Sequence, residues 1–139
     1  MADVLSEAEV EKILEEERVG RLACSADGEA YVVPMVYAYD GGSVYCHSLE
    51  GKKVRIMRAN PRVCFQVDRP HATRDWESVI ARGTYEELSG EEAERAMLAL
   101  IARFRPATPS AAEDSAQNAA PGIVFRITLA EKTGRAGKP

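Results

Sequence analysis

Residues that could bind a phosphate group occur together in the segment Tyr45–Lys53, which reads Tyr-Cys-His-Ser-Leu-Glu-Gly-Lys-Lys. A strand-like run leads into Gly51, and Lys52 and Lys53 stand where the next helix is predicted to begin. The first N–H groups of a helix lack partners within it and lie at the positive end of its dipole, so they can hold an anion. The lysines would add charge, and Ser48 a hydroxyl. The alternative is that both lysines face solvent on the first turn, and this segment taken alone favours that alternative.

Three further residues could contact a ligand, and each has a structural alternative. Trp76 and Ser78 share one face of a predicted strand, although a core tryptophan beside an incidental serine fits equally well. His47 could donate a proton or anchor a substrate, but a lone strand histidine is more often a packed, hydrogen-bonded residue. The sequence has no histidine pair with zinc spacing, no G-x-S-x-G and no G-x-G-x-x-G. Chemistry would therefore depend on a bound cofactor.

Pro34 interrupts the strand-forming run Tyr31–Tyr37. Because proline cannot donate to a sheet ladder, we expect this strand to lie at an edge or to carry a bulge. An edge strand alone would explain the proline. The functional interpretation is that unpaired backbone faces a flat ligand whose ring atoms take the hydrogen bonds. We expect this strand to pair with Ser43–Ser48, so that one ligand could extend from the proline strand to the lysines.

The composition predicts a single globular domain. The chain has 139 residues, of which 45% are hydrophobic and 29% charged. No apolar run approaches the ~18 residues that a membrane-spanning helix needs, and the N-terminus lacks a secretory signal, so we expect no membrane association and a cytoplasmic location. Cys24, Cys46 and Cys64 lie in strand-like segments, which favours buried, reduced thiols. A net charge of -4 without a basic stripe argues against nucleic acid as a partner.

The pattern of hydrophobic residues predicts a fold that is mainly β with three flanking helices. Six antiparallel strands, connected by turns or short helices, are best accommodated by a closed barrel, because closure removes the sheet edges. In this single domain 1–139, we expect residues 105–121 to form a mobile loop and residues 131–139 a polar tail. The predicted strands are Val19–Ser25, Ala30–Tyr39, Ser43–Ser48, Arg62–Asp68, Asp75–Leu88 and Gly122–Ala130.

Local signals mark some of the element boundaries. Ser6 and Glu9 predict a capping box for the first helix, Glu7–Glu17, and Ser89 and Glu92 predict a second one for the third helix. The pair Asp27-Gly28 suits a type I′ hairpin turn. Gly83, inside a long strand, predicts a bulge or a sharp bend.

Three segments, in this order and spacing, resemble the pyridoxamine 5′-phosphate oxidase-like, FMN-binding split-barrel superfamily. They are Tyr45–Lys53, Asn60–Asp68 and Trp76–Gly83. The branch that they resemble most is that of the nitroimidazole-resistance-related proteins. The resemblance implies a six-stranded antiparallel split barrel that forms a homodimer, with FMN bound in clefts at the subunit interface.

The same resemblance implies roles for individual residues. Lys52 and Lys53 would hold the FMN phosphate, and His47 and Ser48 would lie at the end of the strand beside the flavin. The backbone of Val32, Val33, Pro34, Met35 and Val36 would border the isoalloxazine ring. Trp76 and Ser78 of the long strand would also contact the flavin, and Arg126 of the last strand is a weaker candidate.

The departures from the family pattern bear on activity. Vitamin B6 oxidases of this fold carry an arginine and a lysine in the second strand and a tryptophan and an arginine near the C-terminus. Here the strand reads Tyr31–Val36 without either cation and the tail has no tryptophan, so vitamin B6 oxidation is not expected. His47 matches a histidine that the nitroimidazole-resistance branch places ahead of its glycine-lysine turn.

We therefore expect an FMN-dependent oxidoreductase that acts on a small molecule, with His47 orienting or protonating it. The alternative is a non-catalytic protein of the same fold that binds flavin or haem for storage or sensing. A deazaflavin, with its longer tail, would need a more basic groove than two lysines supply.

Overall fold

The computed structural model describes residues 3–104 and 122–138. These residues form eight strands and three helices, and the predicted loop 105–121 lies outside them. In chain order the elements are β1 (Asp3–Val4), α1 (Glu7–Glu16), β2 (Val19–Ala26), β3 (Glu29–Val36), β4 (Ala38–Asp40), β5 (Ser43–Ser48), α2 (Lys52–Ala59), β6 (Arg62–Ala72), β7 (Asp75–Glu87), α3 (Gly90–Arg103) and β8 (Ile123–Gly137).

The strands form one antiparallel sheet of the split-barrel class. Its hydrogen-bonded order is β3-β2-β6-β7-β8-β5-β4, with β1 added to β8. The first and last strands of this order, β3 and β4, are consecutive in the chain and are joined through Tyr37. Tyr37 is fully buried, its hydroxyl donates to the Leu14 carbonyl at 2.8 Å, and its ring meets Phe65 edge-on at 5.0 Å. The predicted fold class, mainly β and antiparallel with flanking helices, is confirmed.

The strand count is eight rather than the predicted six. The segment Ala30–Tyr39 is not one strand, because the chain bends at Tyr37, whose N–H donates to the Arg18 carbonyl at 3.1 Å. The other additional strand is the two-residue β1, which pairs with β8.

The bend at Tyr37 also changes the expected pairing of the proline strand. Strand β3 pairs with β2, whereas β4 pairs with β5, and the second neighbour of β5 is β8. The prediction that Val32–Val36 lies beside Ser43–Ser48 is therefore wrong. The prediction that Pro34 lies on an edge strand is confirmed, since β3 pairs with β2 alone among the strands described.

The predicted polar tail is also wrong, because residues 131–137 continue β8 alongside β7. The buried positions of this segment are Gly134 and Ala136. Gly134 is small because α1 and Leu5, which lies two residues before that helix, pack on this part of the strand: a Cβ at Gly134 would lie 2.8 Å from Val10 Cγ2 and 2.9 Å from Leu5 Cδ1. Small buried residues give no apolar alternation, so the sequence pattern does not reveal this part of the strand.

The two predicted capping boxes have different outcomes. At α1, the Ser6 hydroxyl accepts from the Glu9 N–H at 3.2 Å and Glu9 Oε1 accepts from the Ser6 N–H at 3.0 Å, which confirms the first box. At α3, Ser89 is the N-cap residue, but its side chain makes no capping hydrogen bond. The second prediction is wrong because the Glu92 carboxylate instead accepts from Arg126 Nη1 at 3.3 Å.

The glycine signals and the cysteine prediction are confirmed. The hairpin turn has positive φ at Asp27 (51°) and at the following glycine (80°), and β7 shifts its register against β8 at Gly83. All three thiols are free, with Cys24 and Cys46 buried and Cys64 partly buried. No helix within the described ranges is long and apolar enough to cross a membrane.

Candidate functional site

Helix α2 begins directly after β5 with an uncapped N-terminus. Its N-cap residue is Gly51, in extended backbone, and no side chain caps the helix. The first helical hydrogen bond runs from the Arg55 N–H to the Gly51 carbonyl at 3.1 Å. The N–H groups of Lys52, Lys53 and Val54 precede this bond, so they have no acceptor within the helix. Three such donors at the positive end of a helix are suited to an anion.

Lys52 is already engaged by residues of β3. Its Nζ lies 3.1 Å from Glu29 Oε2 and 5.2 Å from the centroid of the Tyr31 ring. The ammonium group therefore has a carboxylate and an aromatic ring as neighbours.

Lys53 differs, because it forms no ion pair with any residue that the structure describes. Its charge lowers the pKa of the thiols of Cys24 and Cys46, against the larger effect of burial. Burial raises the pKa of Cys46 to about 12 and also raises that of Cys24, so both thiols stay protonated near neutral pH. Lys53 is thus an uncompensated cation beside the interior of the barrel.

An open groove of about 430 Å³ lies on strands β2, β3 and β6. It adjoins the lysines, because Tyr31 lines it and also contacts Lys52, and because Cys24 lines it and is near Lys53. Its volume is in the range of small-molecule sites. The lining is largely apolar, with one charged residue: Ala23, Cys24, Ser25, Ala30, Tyr31, Val32, Arg62, Val63 and Cys64.

Arg62 is the charged lining residue that sequence reasoning missed. It is exposed at the start of β6, and its side chain forms no ion pair within the described ranges. The sequence could have indicated this position, because Arg62 begins the strand after Asn60-Pro61. It precedes Cys64 by two residues, so the side chains of Arg62 and Cys64 lie on the same face of the strand.

The predicted flavin-facing segment Val32–Val36 borders this groove at one end only. Val32 lines the groove, and Val32, Pro34 and Val36 are exposed, whereas Met35 is buried and Val33 packs against the core. The backbone of the segment lies at the edge of the sheet, as a backbone-binding role requires.

Ser48 and His47 point to opposite sides of β5. Ser48 is buried, and its hydroxyl donates to the Leu49 carbonyl at 2.9 Å in the loop that leads to α2. His47 pairs with Val124 of β8 and packs beneath Gly122, where an added Cβ would overlap with His47 Nε2. That Nε2 atom is buried and has no hydrogen-bond partner among the residues described. The Ser48 hydroxyl therefore lies in the loop that leads to the lysines, whereas the His47 ring faces the start of β8.

Trp76 and Ser78 lie on the outer side of the barrel, away from the lysines. Ser78 Oγ accepts from Gln66 Nε2 at 3.2 Å, and Gln66 in turn accepts from Arg21 Nη1 at 3.4 Å. Their strand, β7, is three strands from β3, or about 14 Å at the usual strand spacing. One chain therefore does not bring these two residues to the start of α2.

Arg126 also lies elsewhere, and its charge is compensated. It pairs with Glu86 and Glu92 and lines a separate groove of about 670 Å³ between α3, the end of α1 and strands β4 and β5. The hydrogen bond that Arg126 donates to Glu86 raises the pKa of this guanidinium above its ordinary value, so Arg126 is a fixed cation in a structural network.

The outer face, as we call the solvent-facing side of β3, β2, β6 and β7, carries several exposed apolar side chains. Four large hydrophobic side chains on it are at least half exposed: Val19 (51%), Val32 (62%), Val36 (51%) and Ile80 (52%). Between them lies the Arg21–Asp68 ion pair, at 2.9 Å. Half-exposed apolar side chains gathered around an ion pair on one surface are a feature of interaction sites.

The single antiparallel sheet with its flanking helices is a fold of the split-barrel class. Residues 6–136 match the family described as pyridoxamine 5′-phosphate oxidase, and the chain belongs to that family. The resemblance inferred from the sequence is thereby confirmed. In the described part of the chain, no cluster of three or more histidine, cysteine or acidic side chains could hold a metal ion.

Solved structures extend the comparison over nearly the whole chain. A Mesorhizobium loti protein described as FAD-binding is 38% identical, with 99% of each chain covered and a TM-score of 0.78. A Bacteroides thetaiotaomicron protein provisionally assigned to 5-nitroimidazole antibiotic resistance is 21% identical, with 98% of this chain and 87% of that chain covered and a TM-score of 0.77. The haem storage protein HutZ of Vibrio cholerae is 14% identical, with 95% and 96% covered and a TM-score of 0.78. The last two similarities concern the fold alone.

One curated relative also matches. An uncharacterized protein of Rhizobium meliloti (strain 1021) is 39% identical over 85 residues, which are 61% of this chain. The match spans 56% of that relative's own length.

Proposed function

We propose that the protein binds a flavin, and that FMN binds with its phosphate at the start of α2. The observation that carries the proposal is the uncapped helix start beside Lys53, a cation without a counter-ion in the described part of the chain. Donors and charge converge there without an acceptor, as a phosphate site requires. The 38% identical Mesorhizobium loti protein, described as FAD-binding, supports a flavin as the ligand.

The groove next to the lysines fits the rest of such a molecule. It offers an apolar floor beside the exposed edge of β3, where backbone groups can meet the heteroatoms of a flat ring. Lys52 and Lys53 would hold the phosphate, and Val32 and its neighbours would border the ring. A bound flavin supplies the capacity to accept and donate a hydride or single electrons, while the protein binds the flavin, orients it and excludes water from one side.

We further propose that two copies associate through the outer face. Half-exposed valines and an isoleucine favour burial against a second copy, and closed two-fold dimers are the commonest soluble assemblies. Trp76 and Ser78, which the family pattern assigns to the flavin, lie too far from the lysines within one chain. A second copy on the outer face would supply these residues to the site.

The activity that we propose is oxidoreduction of a small molecule, in which His47 orients or protonates the substrate. One observation favours a second candidate, a non-catalytic carrier of flavin or haem: His47 Nε2 is buried beneath the start of β8 and contacts no polar partner among the residues described. A proton donor must reach the reacting atom, so this difference separates the two candidates.

Spectroscopy of the purified protein tests these proposals. We expect a flavin absorbance spectrum, FMN as the molecule released on denaturation and identified by mass spectrometry, and bleaching by NAD(P)H followed by reoxidation with a small acceptor. A flavin that only dithionite reduces, without turnover, would support the carrier. A Soret band would support haem, and a colourless protein without affinity for added flavins would contradict flavin binding.

A further inference from the structure

One chain of hydrogen-bonded side chains crosses three neighbouring strands of the outer face. Arg21 of β2 lies opposite Gln66 of β6, and its Nη1 donates to Gln66 Oε1 at 3.4 Å and to Asp68 Oδ1 at 2.9 Å. Gln66 Nε2 in turn donates to Ser78 Oγ of β7 at 3.2 Å. Ser78 lies opposite Asp68 in the register of β6 and β7. The chain of hydrogen bonds therefore ends at a residue that we propose to contact the flavin.

The chemistry of Arg21 determines the orientation of the Gln66 amide. A guanidinium has only donors, so the amide atom that faces Arg21 is the oxygen, and the amide NH2 group faces Ser78. The ion pair with Asp68 holds Arg21 in this place. A flipped amide would set the donors of Gln66 against those of Arg21. Hydrogen-bond donation therefore runs in one direction, from Arg21 through Gln66 to Ser78.

This direction decides what the Ser78 hydroxyl can offer to a ligand. A hydroxyl has one proton and two lone pairs, and the Gln66 NH2 group occupies one of the lone pairs. Among the residues described, none accepts the hydroxyl proton, and Ser78 is only partly buried. The proton is therefore available to a group outside this chain, and that group must be a hydrogen-bond acceptor.

We propose that Gln66 is a positioning residue, which holds the Ser78 hydroxyl as a hydrogen-bond donor to an acceptor atom of the bound flavin. This inference rests on the proposed function for the identity of the ligand and for the second copy that brings Ser78 to it. The oxidised isoalloxazine ring offers carbonyl oxygens and unprotonated ring nitrogens as acceptors. Gln66 acts through Ser78 rather than through a contact of its own.

Two substitutions of Gln66 separate orientation from structural support. In Gln66→Glu, the carboxylate keeps Arg21 as a partner but has only acceptors near neutral pH, so the Ser78 hydroxyl turns inward and donates to it. In Gln66→Met, both hydrogen bonds are lost, but the Ser78 hydroxyl stays free to donate outward. A purely structural role predicts that Gln66→Met weakens flavin binding more, whereas an orienting role predicts that Gln66→Glu does.

The test measures the dissociation constant of FMN by fluorescence titration and the resistance to urea without flavin. We expect Gln66→Glu to bind FMN about three- to tenfold more weakly than the wild type, the usual effect of one lost hydrogen bond, while its resistance to urea is preserved. Gln66→Met should bind FMN within about twofold of the wild type but unfold at a lower urea concentration. Riboflavin should show the same order of affinities, because the hydroxyl meets the ring and not the phosphate.

Ser78→Ala is the control that separates the hydroxyl from the charge added by Gln66→Glu. Alone it should weaken FMN binding about three- to tenfold, and Gln66→Glu should have no further effect in the Ser78→Ala background. The near-ultraviolet absorption band of the bound flavin, which responds to hydrogen bonds to the ring, should shift in both single variants and stay in place in Gln66→Met. Circular dichroism confirms that each variant is folded.

The inference is overturned if Gln66→Met binds FMN more weakly than Gln66→Glu, or if Gln66→Glu has its full effect in the Ser78→Ala background. If the wild-type protein binds flavin and no variant changes the affinity, the inference fails and the proposed function stands. If the wild-type protein binds no flavin, the proposed function fails, and the assignment of the acceptor fails with it.

Discussion

At the scale of single residues, Lys52 and Lys53 are neighbours in the sequence but have different surroundings. Lys52 lies between the Glu29 carboxylate and the Tyr31 ring. Lys53 has no ion-pair partner in the described structure, and its charge lowers the pKa of the buried Cys24 thiol. An anion must compete with Glu29 for Lys52, but it meets no competitor at Lys53. The two side chains should therefore contribute unequally to phosphate binding.

We predict that Lys53→Ala weakens FMN binding about 10- to 100-fold, because a charge-assisted hydrogen bond contributes about 1.5–3 kcal/mol. Lys52→Ala should weaken it less, since part of that charge is already compensated. Fluorescence titration of FMN and riboflavin measures both effects, and riboflavin should respond to neither substitution. Lys12→Ala, on the exposed face of α1, is the control for loss of one positive charge. Equal effects of the two substitutions would contradict the assignment.

The sequence predicts that the lysines form an anion site, but it does not predict which residues contact them. The strand, the glycine and the helix start are local signals within nine residues, so the anion site can be inferred from Tyr45–Lys53 alone. The contact with Glu29 joins residues 23 positions apart and depends on how the β2–β3 hairpin lies against α2. No pattern within either segment encodes that arrangement.

At the scale of elements, Gly83 allows β7 and β8 to approach each other closely. It lies at the register shift between β7 and β8, where a Cβ would come within 2.6 Å of Ile127 Cγ2 and 2.8 Å of the Thr128 carbonyl oxygen. The second contact involves backbone of the paired strand, which cannot move aside without disturbing the ladder. A side chain at this position must therefore displace the sheet.

We predict that Gly83→Ala lowers the free energy of unfolding by about 1–3 kcal/mol, the usual cost of overpacking. Urea denaturation followed by circular dichroism measures the change. The matched control is Gly51→Ala, because Gly51 has extended backbone and no atom closer than 4.0 Å to the added carbon. The control should stay within about 0.5 kcal/mol of the wild type, and similar losses for both variants would refute the packing argument.

A local sequence signal predicted its element correctly only where no side chain from another element bound the signal residues. Ser6 and Glu9 form the predicted capping box because no other group takes either side chain in the described structure, whereas Glu92 is drawn away by Arg126. The end of β8 escaped detection because its inward residues are the small Gly134 and Ala136. In each case the deciding partner comes from another element.

At the scale of the whole molecule, the outer face connects the fold to the proposed assembly. Strand order places β3, β2, β6 and β7 side by side, which gathers Val19, Val32, Val36 and Ile80 on one surface. The sequence could not show this surface, because a strand pattern reveals which residues share a face of one strand but not which strands are neighbours.

We predict that the reactivity of Cys64 reports the association of two copies. Cys64 is partly exposed on the outer face, whereas Cys24 and Cys46 are buried with raised pKa values. Without added flavin, native protein at pH 8 should react with a maleimide at Cys64 only, and more slowly as the protein concentration passes through the dimer dissociation constant. Mass spectrometry locates the label, and analytical ultracentrifugation measures the assembly.

Ile80→Arg should keep Cys64 reactive at every concentration, because it puts an unpaired charge on the outer face. Cys64→Ser should abolish the labelling of native protein and serves as the control for the site of reaction. Labelling that does not depend on concentration, in a protein that sedimentation shows to be a dimer, would place the contact on another surface.

The edge position of β3 has a further consequence for the behaviour of this chain in a crowded solution. A strand with one unpaired side is a template on which another extended chain can add and propagate into an aggregate. Pro34 is the sixth of the eight residues of β3 and offers no N–H, so an added strand would lose a hydrogen bond within its register. Substitution of Pro34 by a strand-forming residue would remove this interruption, and the first defect to show would then be fibrillar self-association rather than unfolding.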